Sequence, residues 1–444
     1  MEYKEFEAIA NVENFKRGAH KMLQHTLEDF YGAKVRLVFS PIVGIKTAFD
    51  IDITEEPKRE LYRVENRKDV ILLTIYVQRK DTMYFLGIQL QSPLMPYIEN
   101  SIFHSTCINI GRRLTEAADN AFRSCSASFN ETLAKEIVVG YIGVGRYDIS
   151  KISYLIDLFL GLRSTTFEGK YFSTGLIVSK SVFAYKKKEK YKKNGRFLRL
   201  AKKSLDVDIS DKQNTRFWYL ADGYRTFFLT DLKKTINSMF VYEGTGGDYV
   251  GEMLLSKTLQ GADALFRVSK GRELSVVNSE GYEFLHQENK WKFRDYNGLK
   301  TCILEIMPNI KSFYDELIKC VLYCSKNDTS SIIWVPKDIN TIKDIVSEKT
   351  MNEFGIKPIV LKEATNLPIV KRLLSSDGAT VIDKEGRIRY FGCIADLSKA
   401  TIRGIRGTGE TAASLLAQNG IAIKISQDGP IKIFIEGIEG HIPF

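Results

Sequence analysis

The stretch Gly404–Ser426, GIRGTGETAASLLAQNGIAIKIS, sets a small-residue turn directly ahead of a short helical pattern and a run of alternating apolar residues. A glycine-rich turn that opens into a helix leaves backbone N–H groups unpaired at the positive end of the helix dipole. The chemistry that suits it is the binding of phosphate. Gly407, Thr408 and Gly409 let the backbone approach an anion, and Thr408 or Thr411 is the expected helix cap. In the strand that follows, a period of two puts Ile421, Ile423 and Ile425 on one face and Ala422, Lys424 and Ser426 on the other. Lys424 therefore stands as a cation among isoleucines, in want of an anionic partner, and Arg403 and Arg406 precede the same turn. Glu410 reads first as a favourable charge at the helix start, and second as a ligand to a Mg2+ or Mn2+ ion shared with phosphate.

Other chemistries find less support. The six cysteines form no CxxC pair, and Cys320 and Cys324, four apart in a helical pattern, suit buried apolar positions. The five histidines make no ligand set, which argues against a His/Cys zinc site. Gly143 and Gly145 follow an apolar run without completing a dinucleotide-loop fingerprint and read as an ordinary turn. The net charge of +10 is local, because Lys186–Lys203 holds ten basic residues against Glu189 alone. That stretch is either a patch for nucleic acid or another polyanion, with Tyr191 and Phe197 available to stack, or a solvated loop or hairpin tip. The second is the commoner fate of a charge block and the preferred reading.

The elements that must position the turn can be read outward from it. The last 140 or so residues give a long amphipathic helix over LKTCILEIMPNIKSFYDELIKCVLYCSKN with a kink at Pro308, then the buried strand SSIIWVPKD. A helix and a hairpin turning at Lys384–Gly386 follow, and the turn, its helix and two strands complete an α/β sandwich. Upstream, residues 1–150 read as an α+β region, with a helix ending near Gly32, strands at KVRLVFSPI, VILLTIYVQ and TMYFLGIQL, and a further strand at Ile137–Ile142. Residues 151–299 read as a β-rich mixed module of hairpins, including TRFWYLADGYRTFFLTD and a turn at Asn278–Gly281. GTGGDYVGEMLL reads as a linker or cap entering a helix. No secretory leader is visible, and the longest apolar run, Ile152–Leu162, falls short of the roughly 20 residues of a membrane span. A cytoplasmic, soluble protein is expected.

At LLSSDGATVIDKEGRIRYFGCIADLS, Leu373–Ser398, the sequence resembles the diadenylate cyclase domain, which joins two ATP molecules into cyclic di-AMP. The family's DGA motif is matched by Asp377, Gly378 and Ala379, and its following glycine and LPLS-like segment by Gly392–Ser398. The resemblance covers roughly residues 300–436. It implies a mixed-sheet α/β sandwich of diadenylate cyclase type. Asp377 would lie beside the metal and the attacking hydroxyl, Gly378 and Ala379 would touch the nucleotide, and Ser426 would fall on a phosphate-binding position. The family's second motif, GTRHR, is replaced by GTGET, so Gly409, Glu410 and Thr411 stand where Arg-His-Arg would be.

The resemblance further implies ATP as substrate, Mg2+ or Mn2+ as cofactor, and a homo-oligomer in which two domains face each other under the control of an N-terminal sensor region. The alternatives are a nucleotide-binding protein without turnover, and a nucleic-acid-binding protein acting through the basic stretch.

Overall fold

A computed structural model describes residues 20–53, 61–63, 69–77, 82–99, 101–103, 105–106, 109–110, 127–182, 185, 195–204, 212–232, 235–244, 251–269, 273–353, 357–363, 367–399, 407–438 and 440–444. Residues 1–242 with 259–295 form one compact unit, and 243–258 with 296–444 form another. Both are mixed α/β.

The first unit opens on helix α1 (His20–Tyr31), which Gly32 ends with a positive φ of 61°. Its apolar stripe, Leu23, Leu27, Phe30 and Tyr31, is buried at helical spacing. Strand β1 (Lys34–Ser40), helix α2 (Ile42–Phe49) and strands β2 (Leu61–Arg63), β3 (Val70–Val77) and β4 (Thr82–Gln91) follow, the strands pairing in the antiparallel order β1-β4-β3-β2. Helices α3 (Ala127–Gly143) and α4 (Ile149–Arg163) come next. The strand expected at Ile137–Ile142 is thus a helical segment. Ile137, Val138, Val139, Tyr141 and Ile142 are all buried, and an apolar run buried on every side carries no period by which a helix differs from a strand. Asp148 caps α4 by accepting from the Ser150 N–H at 3.0 Å.

The short hairpin β5 (Thr166–Phe167) and β6 (Lys170–Tyr171) leads into an eight-stranded sheet. Its members are β7 (Thr174–Val178), β8 (Gly195–Ser204), β9 (Thr226–Thr230), β10 (Thr235–Tyr242), β11 (Ala264–Ser269), β12 (Glu273–Asn278), β13 (Tyr282–Gln287) and β14 (Lys290–Asp295). Their order is β14-β13-β12-β11-β7-β9-β10-β8. The helix Lys212–Tyr219 takes up the first five residues of the expected hairpin TRFWYLADGYRTFFLTD, burying Trp218 and half-burying Phe217 on its inner side. The basic stretch is divided: residues 186–194 lie outside the described residues, whereas Gly195–Ser204 form β8, an edge strand rather than a loop.

In the second unit, helix α5 (Glu252–Ser256) precedes α6 (Tyr296–Ile306) and α7 (Tyr314–Lys326). The long helix expected here is two helices separated by a 3-10 turn at Pro308–Ser312, since proline lacks the N–H that would continue the ladder. The remaining elements are β15 (Ser331–Val335), β16 (Asn352–Glu353), β17 (Ile359–Val360), α8 (Leu367–Leu374), β18 (Ala379–Ile382), β19 (Arg387–Cys393), α9 (Thr408–Leu416), β20 (Ile421–Ile425), β21 (Ile431–Ile435) and β22 (Ile442–Pro443). The sheet runs β16-β19-β18-β15-β20-β21-β22, with β17 also on β19 and only β15–β18 parallel. One face, with Trp334, Val381, Ala422 and Phe434, packs beneath Ala413 and Leu416 of α9. Thr380 points to the other face, where its hydroxyl donates to the Leu373 carbonyl of α8 at 3.1 Å. No described helix is long and apolar enough to cross a membrane.

Candidate functional site

Three elements of the second unit converge on the α9 face of its sheet. α8 ends where the Ser376 hydroxyl and the Thr380 hydroxyl both donate to the Leu373 carbonyl, satisfying a helix-end acceptor that would otherwise be orphaned. The chain then turns through Asp377, which is exposed, and Gly378, whose φ is +87°. A Cβ on Gly378 would lie 2.7 Å from the Gly392 carbonyl carbon, so glycine is needed both for the left-handed backbone and for the close passage of the two chains. β18 starts at buried Ala379, opposite Cys393.

Across the sheet, α9 begins at Thr408 with Gly407 as the extended cap residue and no side-chain cap bond. The expectation that Thr408 or Thr411 caps the helix is therefore corrected. Both lie inside the helix, and the Thr411 N–H simply bonds the Gly407 carbonyl at 3.0 Å. The first N–H groups of such a helix have no partner within it. Lys424 reaches the same region from β20, donating to the Ser330 hydroxyl at 2.7 Å and to the Ile425 carbonyl at 2.8 Å. Its stem runs beside Gly409, where a Cβ would come within 2.9 Å of Lys424 Cε. Burial pulls the Lys424 ammonium below its ordinary pKa, while Asp428 and Glu410 push it upward.

Between these elements lies a cavity of about 670 Å³, within the range of small-molecule sites. Its floor includes Ile332, Ala379 and Lys424, and one wall is the face of α9 formed by Thr408, Gly409, Ala412 and Leu416. Asp377 and Gly378 border it, as do Ile394 and Leu397. Of the residues singled out in the sequence, the cavity thus gathers Asp377, Gly378, Ala379, Thr408, Gly409 and Lys424. Gly407, Thr411 and Ser426 do not line it. Ser426 sits in the β20–β21 turn, its N–H on the Pro430 carbonyl at 2.9 Å and its carbonyl on the Gly429 N–H at 3.0 Å. Arg403 and Arg406 lie outside the described residues.

Ser330, Ser375 and Ser376 border the cavity without having been singled out. The doubled serine at the entry to each strand, in SSII and SSDGA, was the available signal. Cys393 also borders it, but burial pushes its thiol up to about 12, so it stays protonated and is no nucleophile at neutral pH.

Among the described residues, no group of three or more His, Cys, Asp or Glu side chains stands together as a metal site. Magnesium commonly takes one or two carboxylates and completes its shell with water and ligand phosphates. Asp377, the one carboxylate among the described lining residues, fits that pattern. Glu410 is ion-paired with Lys432 and does not line the cavity.

No family model matches the chain, and neither does any curated protein. Two of the solved structures that are similar over part of it illustrate the extent. A hypothetical membrane spanning protein from Bacillus cereus is 16% identical over 34% of this chain and 76% of its own, with a TM-score of 0.26. A double mutant of DacA from Staphylococcus aureus is 17% identical over 30% of this chain and 89% of its own, with a TM-score of 0.24. Similarity of this extent leaves the function to the geometry.

Proposed function

We propose that the second unit binds a nucleotide in this cavity and, as a diadenylate-cyclase-like nucleotidyltransferase, condenses two ATP into cyclic di-AMP under the control of the first unit. The observation that carries the reading is that Asp377 and the start of α9, 30 or so residues apart, border one cavity together with Lys424. In this scheme the helix N–H groups and Lys424 hold phosphate oxygens. Asp377 faces the attacking 3′-hydroxyl and, with the phosphates, would hold a Mg2+ or Mn2+ ion, which supplies neutralisation of charge building on oxygen. In each of two steps an O3′–P bond forms at the α-phosphorus, the bond to the β-phosphate oxygen breaks, pyrophosphate leaves and the hydroxyl proton is released. Each domain holds one ATP, so two chains must face each other, and orientation supplies much of the rate.

A second reading is nucleotide binding without turnover. It is favoured by the charge at the site: Lys424 is the only cation among the described lining residues, where the resembled motif brings two arginines and a histidine. Incubation with ATP and Mn2+, followed by chromatography, separates the two. A linked dinucleotide that disappears in Asp377→Ala supports turnover, and saturable binding with no product supports the second reading. Absence of both removes the site.

A further inference from the structure

The sheet face that floors the cavity carries two lysines directly opposite each other, Lys424 on β20 and Lys432 on β21. Like charges in that relation repel, so the pair calls for a counter-charge. Glu410 provides it. One residue past Gly409, in the first turn of α9, its carboxylate closes on Lys432 with the two side chains 28% and 30% exposed, and its charge also acts on Lys424. The same helical turn borders the cavity through Thr408 and Gly409. A carboxylate here opposes an anionic ligand in two ways. It engages one of the two sheet cations, and it sets a negative charge beside the phosphates, a repulsion that grows with the ligand's own charge.

We propose that Glu410 is a built-in competitor of the ligand's phosphate, biasing the cavity toward nucleotides of low charge over a triphosphate not accompanied by a divalent ion; the inference rests on the nucleotide reading above. A nucleoside monophosphate then binds on Lys424 and the helix start alone. A triphosphate enters with its charge offset by the metal.

Titration calorimetry of the full chain with AMP and with ATP, in EDTA at low salt, tests this, with thermal melting to verify that each variant folds. The wild type is expected to bind AMP more tightly than ATP. Glu410→Gln should tighten ATP about tenfold and AMP by less, a gain that shrinks as salt is added. Lys432→Gln, which takes the ammonium away from the carboxylate, should weaken both ligands, ATP the more. Unchanged affinities in Glu410→Gln, with binding intact, overturn the proposal and leave the site reading standing. A loss of ATP affinity in Glu410→Gln seen only with Mn2+ present overturns it in favour of metal ligation. No binding of either nucleotide by folded wild type removes the site reading and the proposal with it.

Discussion

Lys424 shows how a single side chain links burial to chemistry. Desolvation lowers its pKa against the opposing charges of Asp428 and Glu410, and the ammonium donates to Ser330 and to the Ile425 carbonyl. A lysine lowered in this way burdens the folded state while protonated. The burden is full below the lowered value and lifts as pH climbs from there toward the ordinary lysine value, because the unfolded chain binds the extra proton in that window. Stability relative to Lys424→Met should therefore rise across the alkaline window, as chemical denaturation at stepped pH will show. A wild-type curve parallel to that of the variant would mean the ammonium is not desolvated. Period-two alternation along GIAIKIS was enough to place this lysine on the face opposite the isoleucines, the face that borders the cavity. Nothing in the sequence revealed that Ser330, just ahead of β15, would meet it, since the two residues are 94 apart in the chain.

At the scale of elements, the crossing of the α8–β18 junction against β19 is the tightest part of the site. Gly378 combines a positive φ with backbone 2.7 Å from where a Cβ would sit, whereas Gly437, at φ +79°, has nothing within 4 Å of that position. Gly378→Ala should cost about 2–4 kcal/mol, left-handed strain plus overpacking, and Gly437→Ala only about 1–2 kcal/mol, strain alone. Urea midpoints will order them, and equal losses would show that the crossing relaxes freely. The sequence made this hairpin legible because Asp383, Lys384 and Gly386 form a turn with its own local bonds, Asp383 accepting from the Glu385 and Arg387 N–H groups. It failed for α3, whose apolar residues face neighbours on all sides, and for the cap of α9. There a threonine next to glycine suggested a side-chain bond, but Gly407 is the cap residue and both threonines fall inside the helix. The place of Glu410 in the first turn of α9 was legible, but its partner Lys432 lies on a strand beyond the next turn, and only the fold shows the two together.

For the whole molecule, the segment 243–258 belongs by contact to the second unit although the chain on either side of it belongs to the first. Its helix α5 is anchored by Glu252, fully buried, whose carboxylate lies 2.7 Å from the Lys326 ammonium at the end of α7, itself 2% exposed. Removing one member of a buried pair strands the other, at a cost of about 3–5 kcal/mol. Lys326→Met should lower stability by that amount, and adding Glu252→Leu should recover a good part of it. If Lys326→Met alone melts like the wild type, the pair contributes no stability. The same loop means that no single scissile point frees the second unit intact. Protein beginning at Tyr296 leaves the buried ammonium of Lys326 on α7 while the Glu252 carboxylate goes with the discarded piece, and isolating this half requires supplying the 243–258 peptide in trans or splicing it on by circular permutation.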